Sequence, residues 1–138
     1  MPVRKKRKTQ DLDFQMGFYE KILLGRPDFI DALIALGEIY TKKGFYEKGL
    51  ELDMRLARLR PDNPTVHYNL ACSFSLTGDV GAALHAIEDA IRLGYDDLSF
   101  MNKDPDLENV RKDARYQRLL QGVQRKKAVI QDANTRQN

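Results

Sequence analysis

Five residues of this chain have side chains that could do chemistry: His67, His85, Cys72 and the pair Asp104 and Asp106. The histidines stand 18 positions apart, with no cysteine or carboxylate beside them at metal-ligand spacing. His67 occupies a packing slot and is expected as a structural, at least half-buried residue, with His85 on the outer face of its helix. Cys72 is the single cysteine, so an internal disulfide and a thiolate metal cluster are both excluded. A reactive thiol would need an electropositive setting, and none is visible around it. Asp104-Pro105-Asp106 reads as a helix start, with aspartate as the cap and proline in the first turn, rather than an acid/base pair. No phosphate-cradling or nucleophile-elbow glycine motif occurs. The expectation is a chain that is not an enzyme, with no catalytic residue, no cofactor and no metal.

The elements that would position any site follow from a repeat. Leu36, Gly37, Tyr40 and Gly44 recur 34 residues later as Leu70, Ala71, Phe74 and Gly78, and Arg26-Pro27-Asp28 recurs as Arg60-Pro61-Asp62. A period of that length signals stacked supersecondary units. Between the punctuation marks, Ile30, Leu33, Ile34, Leu36, Gly37 and Tyr40 form one apolar stripe at helical spacing. Tyr46, Gly49, Leu50, Leu52, Leu56 and Leu59 form a second. Gly44 falls between the stripes, where a residue tolerant of positive φ lets one helix end and its partner fold back. A helix pair cannot bury both faces alone, so neighbouring pairs must stack.

Composition agrees with a folded body. Of 138 residues, 42% are hydrophobic and 31% charged, which suits a globular domain rather than a disordered chain. There is no apolar run of 18 residues, hence no expected membrane span. The net charge of +3 is local: Arg4, Lys5, Lys6, Arg7 and Lys8 supply five of the 23 basic residues, leaving 18 against 20 acidic ones elsewhere. The body is near neutral, so polyanion contact is expected only through the basic stretch. The N-terminus lacks the apolar segment of a secretory signal, and with one cysteine a cytoplasmic, reducing setting is the default.

At the repeated residues the sequence resembles the tetratricopeptide repeat (TPR) family, whose signature W-x2-L-G-x2-Y, then A-x3-F, then P, spans 34 residues. The first unit supplies Leu33, Leu36, Gly37, Tyr40, Gly49 and Pro61; the second supplies His67, Leu70, Ala71, Phe74, Ala83 and Ala90. Leu33 and His67 replace the tryptophan, Asp53 stands where a Phe-like residue is usual, and Tyr95 replaces the closing proline. The resemblance implies an all-α, right-handed superhelix. Its expected parts are a disordered basic tail over 1–10, a half-repeat helix over 11–27, two units over 28–94, a helical cap over 95–124 and a frayed tail over 125–138. The segment "DLSFMNKDPDLENVRKDARYQRL" is similar to an end-of-array unit found after such repeats in bacterial proteins, with Ala114 in place of its proline.

Function follows from the same resemblance. The inner helices of TPR pairs line a concave groove that holds a peptide, and its positions here are Asp31, Ile34, Ala35, Glu38, Thr41 and Lys42 from the first unit. Thr65, Tyr68, Asn69, Cys72, Ser75 and Leu76 come from the second. Tyr68 is expected to offer a free ring as apolar anchor, with Asn69 and the hydroxyls bonding a peptide backbone. A carboxylate-clamp subclass is disfavoured, because Ile34, Glu38 and Ser99 replace its polar and basic residues although Asn69 and Lys103 match. The expected function is a non-catalytic adaptor or assembly module for a protein or peptide partner, with self-association through the repeat ends left open. The alternative is accessory nucleic-acid or ribonucleoprotein binding through the basic tail.

Overall fold

The computed structural model describes the backbone of residues 2–137 and the side chains of residues 11–137. The chain is all-α, with no strand among the described residues. Five helices carry the body: α1 (Pro2–Gly25), α2 (Ile30–Lys42), α3 (Tyr46–Leu59), α4 (Pro64–Leu76) and α5 (Val80–Arg92). Two short helices, α6 (Leu98–Met101) and α7 (Glu108–Arg111), flank a 3-10 turn at Pro105–Leu107 and lead into α8 (Ala114–Gln137). Through α5, each helix packs on the next in sequence, an arrangement compatible with a helical repeat.

The repeat is visible in backbone geometry. Gly44, Gly78 and Gly94 have φ of 80°, 89° and 115°, the left-handed region where glycine carries no Cβ cost. Each ends its helix with the same pair of bonds. The Gly44 N–H donates to Thr41 O and the Phe45 N–H to Tyr40 O, and Gly78/Asp79 and Gly94/Tyr95 repeat the pattern on Ser75/Phe74 and Ile91/Ala90. This pairing satisfies carbonyls that a helix end would otherwise leave open. Helix starts use side chains where the sequence provides them. Asn63 accepts from the N–H groups of Thr65 and Val66, Asp79 from Ala82, and Asp104 from Asp106.

The apolar stripes meet in two clusters. Leu33, Leu36, Tyr40, Leu52, Leu56 and Val66 form the first, closed on the α1 side by Met16, Tyr19 and Leu23. The second joins Ala71, Ala83, Ile87 and Ala90 to Met101, Leu107, Val110, Tyr116 and Leu120, so the segment after Gly94 caps the array by sealing its last pair. Arg111 fastens this cap, donating from Nη1 to the carbonyls of Met101 (3.1 Å) and Asp104 (2.6 Å).

Two boundaries differ from expectation. The helix expected over 11–27 begins at Pro2, so the backbone of the basic stretch continues α1. The side chains of Arg4, Lys5, Lys6, Arg7 and Lys8, the expected polyanion contacts, lie outside the described residues. The stretch 125–138, expected to fray, continues α8 to Gln137. It is rich in Gln, Lys, Arg and Ala, which favour helix locally, yet from Gln124 onward every described side chain is exposed. Periodicity was lost there because nothing packs, not because the helix stops.

Candidate groove between the repeated helices

A groove of about 700 Å³ opens between α2 and α4, floored by Asp53 and Leu56 of α3 and closed at one end by Phe100, Asp104 and Asp106. Of the twelve expected positions, Ile34, Glu38, Thr41, Lys42, Thr65, Tyr68, Asn69, Cys72 and Leu76 line it. They do so because α2 and α4 occupy equivalent places in successive pairs and present the same face.

Three expected positions lie elsewhere. Asp31 sits by the Arg26–Pro27 turn, and Ala35 lies against α1 beside Phe14 and Phe18. Ser75 is fully buried, and its Oγ has no hydrogen-bond partner. Thr41 lines the groove but spends its hydroxyl proton on Gly37 O at 3.0 Å.

Tyr68 corrects the expectation of a free anchor. It is only 5% exposed, and its ring stacks on Tyr95 at 4.4 Å between centroids and 7° between planes. Its hydroxyl donates to Asp104 Oδ2 at 2.6 Å. The residue is committed to the cap, and burial followed by the Asp104 hydrogen bond pushes its phenol further up. The exposed apolar surface is supplied instead by Ile34 (41% exposed) and Phe100 (50%), with Asn69 exposed nearby.

Cys72 is buried and points Sγ at Asp104 Oδ2, 3.7 Å away. Burial, then the charges of Asp104 and Asp106, push its thiol well above the ordinary value, which keeps it protonated. Cys72, Asp104 and Asp106 bring potential ligand atoms within 4.8 Å of one another. Asp104 nevertheless has both oxygens engaged, Oδ2 by Tyr68 and Cys72 and Oδ1 by the Asp106 N–H at 3.0 Å. The set is therefore a closed hydrogen-bond network around a protonated thiol, a poor fit to a metal. Sequence spacing held no sign of it, because Asp104 lies 36 positions from Tyr68.

Asp53, like Asp104, lines the groove without being among the twelve expected positions. Its Oδ2 accepts from Ser73 Oγ at 2.5 Å, and Oδ1 stands 3.6 Å from where a Cβ on Gly37 would be. Desolvation pushes its carboxyl up to about 6, the Ser73 hydrogen bond opposing the shift. A signal existed: an aspartate in an otherwise apolar helical slot. His67 is half-buried with Nε2 2.8 Å from Pro61 O, and His85 is exposed beside Arg115 and Arg118 on the opposite side of α5.

No family model matches the chain. It is similar to a protein of Arabidopsis thaliana whose name places it in the chloroplast, with 36% identity over 84 residues, 59% of this chain. The match spans a quarter of that protein's length. No helix among the described residues is long and apolar enough to cross a membrane.

Proposed function

We propose that this chain is a non-catalytic protein-interaction module of the TPR type, holding a peptide segment of a partner in the groove between α2 and α4. The observation that carries the reading is the groove itself. It encloses about 700 Å³ and has exposed apolar contacts at Ile34 and Phe100, with the exposed amide of Asn69 on α4. An amide both donates and accepts, which suits a peptide main chain. The 34-residue period, with positive-φ glycines at the equivalent positions 44 and 78, supports the TPR assignment. A reducing compartment suits the free, buried thiol of Cys72. The cytoplasm is the simplest such setting, and a chloroplast, the location in the relative's name, is another.

The test is affinity capture with the intact protein, then titration of the captured partner against three variants. Ile34→Ala and Asn69→Ala should each weaken binding by about 1 to 2 kcal/mol, as hot-spot truncations do. His85→Ala, on the far side of α5, should change nothing. Loss of binding in the His85 variant, with both groove variants unaffected, would move the partner to the convex face and end this proposal.

A further inference from the structure

The groove has a charge pattern that names its occupant more closely. Its lining holds four carboxylates, Glu38, Asp53, Asp104 and Asp106, against one ammonium, Lys42. Asp104 is exhausted by its own hydrogen bonds. Asp53 is not: among the described residues Oδ1 has no hydrogen-bond partner and no ion pair includes this side chain. It lines the groove together with Gly37, whose bare Cα lies beside it: a Cβ there would stand 3.6 Å from Oδ1. A desolvated carboxylate with an open oxygen is stabilised most by a cation that displaces the remaining water and bonds it directly. Beside it, Leu56, Val66 and Leu76 offer an apolar wall, which suits the aliphatic stem of a long basic side chain.

We propose that the groove selects a partner peptide carrying a lysine or arginine that inserts between α2 and α4 and pairs with Asp53 Oδ1, with apolar neighbours resting on Ile34 and Phe100. This rests on the peptide-groove reading and adds the chemistry of the partner to it. Burial raises the carboxyl of Asp53 to about 6, so the free groove is largely protonated there at pH 5 and ionised at pH 7.5. The other titratable or charged groups facing it are Glu38 and Lys42 from α2, Cys72 from α4, and Asp104 and Asp106 from the cap. Affinity for a basic peptide therefore rises with pH across this window.

The experiment is selection of a displayed library of random linear dodecapeptides on the full chain, followed by titration of the enriched sequences as synthetic peptides. The expected result is a shared lysine or arginine with apolar flanks. Replacing that residue by glutamine should weaken binding about tenfold, and Asp53→Asn should produce the same loss without further loss for the glutamine peptide. Lowering pH from 7.5 to 5 should weaken the basic peptide about tenfold and leave the glutamine peptide unchanged. Melting curves check that the Asp53 variant is folded, and the pH comparison tests the pairing in the unaltered protein. Enriched peptides without a basic residue, still sensitive to Asn69→Ala, would overturn this inference and leave the groove reading standing. Peptides indifferent to Ile34→Ala and Asn69→Ala, or no enrichment at all, would overturn both. Concentration-dependent dimerisation abolished by Asp53→Asn would assign the groove to a basic stretch of a second copy, and a separate partner would be refuted.

Discussion

Asp53→Asn should make the unliganded protein more stable at neutral pH. The folded-state carboxyl of Asp53 is raised to about 6, against an ordinary 3.8, with desolvation the dominant cause. A raised acid binds its proton more tightly in the folded chain, so stability falls as pH climbs from about 4 through about 6 and stays reduced above. The gap of about two pH units corresponds to about 3 kcal/mol at about 1.4 kcal/mol per unit. Because the side chain is half-buried rather than sealed, about 2 kcal/mol is the better figure. Asparagine keeps an oxygen for the Ser73 hydroxyl and cannot ionise, which isolates the charge. At pH 7.5 the variant should gain about 2 kcal/mol, a rise in Tm of roughly 3 to 5 °C per kcal/mol for a chain of this size. At pH 4 both proteins carry a neutral group, and the gap should close. Thermal or urea melts of the two proteins at pH 4, 5, 6 and 7.5 decide the matter. A gap of equal size at every pH, or a variant less stable at pH 7.5, would refute the desolvation argument.

Two further outcomes are expected. Tyr68→Phe keeps the stack on Tyr95 but removes the donor to Asp104, leaving a buried carboxylate oxygen with only the weak Cys72 thiol; urea melts should show a loss of about 1 to 3 kcal/mol, and no loss would mean that bond carries nothing. Deleting residues 1–10 removes five basic residues from a nearly neutral body, so any affinity for single-stranded DNA should drop, with a salt dependence shallower by up to about 3.5 in log–log slope; unchanged binding would place the polyanion on the folded body.

The helix pairs were legible in the sequence because their determinants are local and periodic. Gly44 and Gly78 mark two turns, and Gly94 ends the next helix by the same geometry. The start of the cap was legible through Asp104, whose carboxylate accepts from the Asp106 N–H; Asp113 likewise accepts from the Arg115 N–H where α8 begins. The reach of α1 to Pro2 and of α8 to Gln137 was not: residues 4–10 hold no apolar side chain to set a period, and every described side chain from Gln124 onward is exposed. In the groove, the resemblance placed nine of the twelve lining positions on α2 and α4, while Asp31, Ala35 and Ser75 face elsewhere. The fate of Tyr68 could not be read that way. It is decided by Tyr95, Phe100 and Asp104, all beyond the second repeat, and no period links them to it.

Two of the four groove carboxylates, Asp104 and Asp53, differ in how far the fold itself engages them. Asp104 is 6% exposed, and its side chain accepts from Tyr68, Cys72 and the Asp106 N–H, while its carbonyl accepts from Arg111. Both carboxylate oxygens are engaged, so the residue fixes the cap against α4 and has little left to offer a ligand. Asp53 makes one hydrogen bond, to Ser73, and leaves an oxygen toward the groove floor. In the empty fold desolvation disfavours the charge, and the hydrogen bond from the buried Ser73 hydroxyl offsets only part of that cost. In the proposed complex the charge becomes favourable when a cation pairs with it. Such a residue would weaken the empty protein and strengthen the occupied one, tying folding stability to partner binding, with the pH at which Asp53 ionises setting where that coupling begins.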